Sequence, residues 1–246
     1  MGRLMDPLEF YYTRTPTFNV TTPEGRARLE AVKRRLREVL GTLGVELGRG
    51  CRALSLCSGS CVDGIALAEE YGCTVTCVDK QQWLLEAGLA YAEEKGLKVK
   101  AVVGDVENIE ELVDGEYDVV LLWGSSLAHL SVWSFDRVAS GTLSLLKRGA
   151  PLIVEQRDTI FEMLPRLRSS ALILEDPPVV EYHAGFDPGK GSLRKLYVDL
   201  ASGDMARDEI YVWSPWLVRY VLEKNGYTGV RVLPPPPRHV VAGFRG

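Results

Sequence analysis

The stretch Ala53–Gly64, which reads ALSLCSGSCVDG, decides the fold of this chain. An apolar strand runs into a loop of small residues and then into a helix predicted over 62–71. Small residues let a ligand approach the backbone closely, and the new helix directs free N–H groups at the turn. The pattern therefore predicts a site for an anionic or adenosyl ligand at the carboxyl end of a buried strand.

Acidic residues follow the next two predicted strands. The strand over 74–78 ends in Asp79, and the strand over 98–103 is followed by Gly104 and Asp105. An acid about 20 residues after the small-residue loop is where a ribose diol would be held. We therefore expect the Asp79 carboxylate to accept hydrogen bonds from ribose hydroxyls, with an N-cap of the following helix as the structural alternative.

Strands and helices alternate from residue 53 to residue 155. The strands read as continuous apolar runs, which is expected when helices cover both faces of a parallel sheet. The sequence therefore predicts an α/β fold with a doubly wound sheet. Strands are predicted at 53–56, 74–78, 98–103, 118–123 and 150–155, and helices at 62–71, 80–95, 106–113 and 131–147.

The pattern of predicted elements changes after residue 155. A short helix around 159–167 leads to strand-like segments with turns between them, so residues 165–213 are predicted to form inserted antiparallel hairpins. A helix from 216 to 225 then precedes two closing strands, 228–233 and 239–244. Residues 1–45 are predicted to form first an irregular segment or short helix, rich in aromatics, and then a helix that begins at Pro23 and continues to about Leu43.

This ladder of elements resembles the class I S-adenosylmethionine-dependent methyltransferases of the small-molecule type, over about residues 50–160 and 205–246. Their first motif is usually acid-Leu-Gly-x-Gly-x-Gly, but here Ser55, Cys57 and Cys61 replace three of its residues and only Gly59 keeps its glycine. Because cysteine carries a Cβ, we expect a negative φ at both cysteines and a slightly remodelled loop.

The resemblance implies one methyltransferase domain with a Rossmann-like, seven-stranded sheet, mostly parallel with an antiparallel C-terminal strand pair and helices on both faces. The cofactor implied is S-adenosyl-L-methionine. Asp105 would accept from the adenine amino group, and the 1–45 segment would close over the cofactor, where Tyr12 or Arg14 meets the methionine carboxylate. The other cofactor residues implied are Cys57, Ser58, Gly59, Ser60, Asp79, Lys80, Val106, Trp123 and Gly124.

The acceptor would lie after the fourth strand of the ladder, under the inserted hairpins. The residues expected to bind it are Ser125, His129, Arg157 and Tyr182, with Glu155 and His183 as secondary candidates. His129 is a candidate general base, since an imidazole pKa near 6.5 suits proton removal from oxygen or nitrogen. A capping or packed histidine is the alternative, because alignment in a dry pocket can suffice for methyl transfer.

Length and charge limit the function classes. The chain has 246 residues, a net charge of −4 and 46% hydrophobic residues, which suits a single globular domain. No apolar run approaches the ~20 residues that span a bilayer. The first residues lack the apolar core of a signal peptide, so a cytoplasmic location is expected. We expect a small-molecule methyl acceptor, no membrane partner, and a monomer or homodimer.

The five cysteines all fall between Cys51 and Cys77. Their spacing matches neither a radical-enzyme cluster nor paired zinc knuckles, so we predict small buried thiols and no metal. Arg outnumbers Lys, which hints at a thermophile, where an intracellular disulfide is less unusual. Cys73 would then pair with either Cys51 or Cys57.

Other functions stay open at this point. A basic face on the first long helix, residues 26–37, would suit an RNA or protein methyltransferase, although a solvated outer face explains it as well and the acidic chain disfavours nucleic acid. The lost loop glycines would suit a non-catalytic S-adenosylmethionine-binding protein. An NAD-dependent oxidoreductase would need three loop glycines, of which only Gly59 and Gly64 are present.

Overall fold

A seven-stranded sheet forms the framework of the computed structural model, which describes residues 3–160, 171–175, 178–234 and 238–246. Across the sheet the strands are β11 (Tyr227–Leu233), β12 (Arg238–Arg245), β6 (Pro151–Arg157), β5 (Val119–Leu122), β2 (Arg52–Leu56), β3 (Thr74–Asp79) and β4 (Val99–Val103). The five strands β2 to β6 run parallel, β12 pairs antiparallel with β6, and β11 pairs antiparallel with β12. This confirms the doubly wound sheet with an antiparallel C-terminal pair.

Helices cover both faces of this sheet and bury one apolar cluster on each side. The α-helices are α1 (Pro7–Thr13), α2 (Pro23–Leu43), α3 (Val62–Tyr71), α4 (Gln82–Glu94), α5 (Ile109–Leu112), α6 (Val132–Leu145) and α7 (Pro215–Lys224). The helix predicted over 106–113 is instead a 3-10 turn, Val106–Asn108, followed by the short α5. Most of the helix predicted over 159–167 lies outside the described residues.

Helix α2 follows its capping signals. The Thr22 hydroxyl accepts from the Gly25 N–H, Pro23 occupies the first turn, and Gly44 ends the helix at a φ of 72°. Its predicted basic outer face is only partly solvated. Lys33 is buried and pairs with Glu30 and with Glu69 of α3, against which α2 packs. Arg28 lines the cavity that is described below.

A second sheet of five strands stands apart from the first. Its order is β1 (Leu4–Met5), β10 (Met205–Tyr211), β9 (Ser192–Asp199), β8 (Pro178–Asp187) and β7 (Ala171–Glu175). The last four are antiparallel neighbours, whereas β1 runs parallel to β10. The N-terminal segment and the inserted strands therefore form one cover, which Arg14 ties together by ion pairs of 2.7 Å to Asp199 and 2.8 Å to Asp204.

The cysteines separate into one bridge and three thiols. Cys51 and Cys73 form a disulfide with a Cα–Cα distance of 4.5 Å, which selects one of the two pairings expected for Cys73. Cys57, Cys61 and Cys77 are free. Among the described residues, no three His, Cys, Asp or Glu side chains are grouped as metal ligands. The helices that the structure describes include none that could span a membrane.

Candidate functional site

The loop after β2 keeps the backbone of a glycine loop without its glycines. Cys57 has a φ of 49°, Gly59 of 50° and Cys61 of 58°, so the negative φ expected at the two cysteines is wrong. The left-handed region costs a non-glycine residue roughly 1–2 kcal/mol. Hydrogen bonds from Ser58 N–H to Val78 O at 3.1 Å and from Cys61 N–H to Ser58 O at 2.8 Å hold the loop in this form. The geometry is therefore set by the surrounding strands and turns.

Asp79 ends β3 beside this loop. Its Oδ2 accepts from the Gly59 N–H at 2.7 Å and its Oδ1 accepts from the Gln81 N–H at 2.8 Å. Helix α4 begins at Gln82 and its N-cap is Gln81, so the alternative reading of Asp79 as that N-cap does not hold. Each carboxylate oxygen has a further lone pair, so Asp79 can brace the loop and still accept from a ligand.

The predicted adenine end lies one strand further along. Lys80 forms an ion pair of 2.8 Å with Asp105 Oδ2, and Asp105 Oδ1 accepts from the Glu107 N–H at 3.1 Å. Val106 is buried beneath them. These side chains therefore form a connected group at the carboxyl edge of β3 and β4.

Aromatic residues of the N-terminal segment cover the loop. The Tyr12 ring lies 4.3 Å from the Phe18 ring and 6.1 Å from the Trp83 ring, measured between centroids. The Tyr12 hydroxyl would be 3.5 Å from a Cβ at Gly59, and the Ser60 hydroxyl donates to Phe18 O at 2.5 Å. Burial is the main reason that the pKa of Tyr12 rises to about 12, so its hydroxyl stays protonated.

A cavity of about 580 Å³, the sheet-edge cavity, lies between this segment, the carboxyl edge of the first sheet and the inserted strands. The predicted residues that line it are Tyr12, Cys57, Ser58, Gly59, Ser60, Trp123, Gly124, Ser125, His129 and Arg157. The predicted residues outside its lining are Arg14, Asp79, Lys80, Asp105, Val106 and Tyr182. Arg14 is engaged with the second sheet, and Tyr182 is 45% exposed. Ligand pockets are commonly of this size.

Two charged residues on the cavity wall were missed from the sequence: Asp63, which is buried, and Arg28, which is partly buried. The Ser55 hydroxyl donates to Asp63 Oδ2 at 2.7 Å, and burial raises the pKa of Asp63 from 3.8 to about 6. Arg28 lies 4.2 Å from the Phe18 ring, and its Nη1 is buried with no hydrogen-bond partner among the described residues. A serine where the family motif has an acid, with an aspartate in the next helical turn, was the available signal for Asp63.

The far end of the cavity is built by the inserted sheet. Glu181, Lys195, Tyr197 and Asp208 line it from β8, β9 and β10. Glu181 accepts from Lys195 Nζ at 2.7 Å and lies 3.1 Å from His183 Nε2. Burial would raise the pKa of Glu181, but attraction to Lys195 outweighs it and lowers the pKa. This end is therefore polar and charged.

The comparisons with known proteins agree with this geometry. Residues 53–149 match the family model for a methyltransferase domain. A solved structure from Pyrococcus horikoshii OT3 superposes with a TM-score of 0.71 at 20% identity, covering 96% of this chain and 99% of that one. No match is found among curated protein sequences.

Two further solved structures share the fold and are methyltransferases. An S-adenosylmethionine-dependent methyltransferase from Clostridium acetobutylicum has a TM-score of 0.71 at 12% identity, over 97% of this chain and 98% of that one. CalS10, an S-adenosylmethionine-bound amino pentose methyltransferase from Micromonospora echinaspora, has a TM-score of 0.64 at 13% identity, over 100% and 99%.

The fold is that of the class I, Rossmann-like methyltransferases. The match of residues 53–149 to a methyltransferase domain, together with this shared fold, supports S-adenosylmethionine as the cofactor. The residues present fit this group, because the Arg28 Nη1, which has no hydrogen-bond partner among the described residues, and the buried Asp63 carboxylate line the same cavity as the Gly59 loop. The domain match and the shared fold therefore support enzymatic methyl transfer as the activity.

Proposed function

We propose that the chain methylates a nitrogen or oxygen of a small metabolite. The observation that carries the proposal is the polar far end of the sheet-edge cavity, which the inserted strands close with Glu181, Lys195, Tyr197 and Asp208. A cavity of about 580 Å³ holds a cofactor and a small acceptor together but leaves little room for a polymer.

On this proposal, different residues of the chain bind different groups of the cofactor. S-adenosylmethionine supplies an electrophilic methyl group on a sulfonium. Asp79 accepts from its ribose hydroxyls, Asp105 and Val106 hold the adenine, and Arg28 pairs with its carboxylate. Asp63 pairs with its ammonium group. Arg28 takes the role that the resemblance gave to Tyr12 or Arg14, because its buried Nη1 lines the cavity and has no hydrogen-bond partner among the described residues.

The acceptor side uses Ser125, His129, Arg157 and residues of the inserted sheet. His129 is exposed, lines the cavity and makes no side-chain hydrogen bond in the part of the chain that the structure describes, so its imidazole is available to an acceptor hydroxyl as a base. The cover formed by α1 and the inserted strands would keep bulk water from the reacting atoms.

An RNA or protein methyltransferase gains little support from the basic helix. Lys33 and Arg37 of α2 pair with Glu69 and Glu70 of α3, and Arg35 pairs with Glu38. These partners neutralise much of the charge that would attract phosphates.

The proposal is tested by following a labelled methyl group. The protein is incubated with methyl-labelled S-adenosylmethionine and a cell extract separated into metabolite, RNA and protein fractions. We expect label in the metabolite fraction, and much less label with Asp79→Ala. Label that enters only RNA or only protein would contradict the small-molecule proposal.

A further inference from the structure

Two buried polar atoms on the cavity wall have no hydrogen-bond partner in the part of the chain that the structure describes. Gln156 is 1% exposed, and its Oε1 has no hydrogen-bond partner within the described residues. Its Nε2 donates to Arg157 O at 2.9 Å, which fixes the amide oxygen as the free end. The buried Ser125 Oγ is likewise unpaired, on a residue held at a φ of 66°. Both residues line the sheet-edge cavity.

The sheet places these two residues side by side. Strands β5 and β6 are parallel neighbours, with Leu122 opposite Val154, and the Ser125 N–H donates to Glu155 O at 3.3 Å. Glu155 also accepts from the Gly124 N–H at 3.2 Å, which fixes the turn that carries Ser125. A buried polar atom without a hydrogen bond lowers the stability of the fold by roughly 1–3 kcal/mol. Two such atoms in the wall of one cavity therefore point to a ligand group that forms hydrogen bonds with them.

We propose, resting on the proposed function, that this pair binds the nucleophile of the acceptor and that the nucleophile is a neutral amine nitrogen. The amide oxygen of Gln156 accepts a hydrogen bond but cannot take up a proton at neutral pH. An amine N–H held by Gln156 leaves the nitrogen lone pair free. A hydroxyl held in the same way would still need a base to remove its only proton.

Methyl transfer to the amine needs no base in contact with the nitrogen. The nitrogen lone pair forms the new bond to the methyl carbon while the carbon–sulfur bond breaks, and its electron pair stays on sulfur as a thioether. The product nitrogen carries the positive charge as an ammonium, which releases a proton to solvent after it leaves. Gln156 and Ser125 orient the nitrogen throughout.

The far end of the cavity suits an acceptor that arrives as an ammonium ion. Asp208 lies opposite Lys195 in the β9–β10 register and has no ion pair in the described part of the chain. Its carboxylate can hold the protonated amine on entry, and the amine releases its proton to solvent before it reaches Gln156.

The experiment uses the full chain with 13C-methyl S-adenosylmethionine and the metabolite fraction of a cell extract. Carbon chemical shifts of the labelled products separate N-methyl from O-methyl groups. Gln156→Met removes the amide oxygen at nearly constant volume, and Gln82→Met, on the exposed face of α4, is the matched control. Affinity for S-adenosylmethionine, measured by calorimetry, reports whether each variant is folded.

We expect N-methyl products, a loss of at least about tenfold in kcat/KM with Gln156→Met, and unchanged cofactor affinity. Ser125→Ala should lose less, and Gln82→Met should stay close to wild type. O-methyl products, or full activity in Gln156→Met, would overturn the amine assignment and leave the proposed function standing. A wild-type protein that binds the cofactor but labels no metabolite would overturn both.

Discussion

The Ser55 hydroxyl donates a hydrogen bond of 2.7 Å to Asp63, so a carboxylate of helix α3 lies beside the strand position where the resembling family has its motif acid. In this chain the acidic residue is on the helix, and a serine occupies the strand position where the family motif has its acid. Asp63 still lines the sheet-edge cavity, in which Arg28 is the neighbouring cation. A negative charge is therefore present beside the motif position, although it comes from a different residue.

Asp63→Asn should have opposite effects on stability and on cofactor binding. Burial raises the pKa of Asp63 from 3.8 to about 6, so the folded protein binds this proton more tightly than the unfolded chain does. Ionising Asp63 therefore destabilises the fold progressively between pH 3.8 and 6, and fully above 6. At higher pH the variant should be more stable without ligand, by up to about 3 kcal/mol, and should bind S-adenosylmethionine more weakly. Urea unfolding across this pH window and calorimetry measure both.

A swap variant gives the control for Asp63. Ser55→Asp combined with Asp63→Ser returns the carboxylate to the strand, and we expect it to recover most of the lost cofactor affinity. An Asp63→Asn protein with normal affinity would show that the carboxylate does not meet the cofactor.

Arg28→Met should weaken binding of S-adenosylmethionine selectively. A charged hydrogen bond between its buried Nη1 and the cofactor carboxylate would contribute about 1.5–3 kcal/mol, or at least tenfold in affinity. The decarboxylated cofactor lacks that partner, so its affinity should hardly change. Equal losses for both ligands by calorimetry would assign Arg28 a packing role against Phe18.

Asp79→Ala should lower cofactor affinity by at least tenfold, because two ribose hydroxyls would lose a charged acceptor. The variant also leaves the Gly59 and Gln81 N–H groups without their acceptor, at a cost of about 1–3 kcal/mol to the unliganded fold. Calorimetry and urea unfolding on the same preparation separate the two effects. Lower stability with unchanged affinity would leave Asp79 as a brace of the loop alone.

Cys57→Gly should stabilise the unliganded protein slightly. Cys57 has a φ of 49°, and glycine removes a strain of roughly 1–2 kcal/mol while adding about 0.5–1 kcal/mol of chain entropy to the unfolded state. Ser58→Gly in the same loop is the control, since Ser58 lies outside the left-handed region and should only lose stability. A destabilised Cys57→Gly protein would mean that packing of the thiol outweighs the backbone strain.

Removal of the Cys51–Cys73 bridge should destabilise the fold. The bridge joins residues separated by 22 positions, and closing such a loop in the unfolded chain is worth about 3 kcal/mol. Cys51→Ala/Cys73→Ala should therefore unfold at lower urea, and reductant should move the wild type toward the double variant. A double variant that is itself sensitive to reductant would place the effect on another thiol.

The alternation of apolar strands and helices determined the fold by itself. Continuous apolar strands such as β5 are stable only when helices cover both faces of a sheet, so the doubly wound order follows from local patterns. The same patterns placed Asp79 and Asp105 at one edge, because parallel strands end together. The class of protein and its cofactor were then inferred from the resemblance to the class I methyltransferases.

The site itself depended on contacts that no local pattern encodes. Cys57 and Cys61 have a positive φ, against the preference of these residues, in a loop that is held by hydrogen bonds to β3 and within itself. Arg28 reads as one basic residue of a solvated helix face, and only the packing of α2 and the N-terminal segment turns it into the cavity. Gln156 carries no motif, and its free amide oxygen exists because β5, β6 and the inserted sheet enclose it. The sequence by itself determined the framework and its chemistry class, since periodicity is local, whereas the tertiary structure alone decided which side chains lose water and meet.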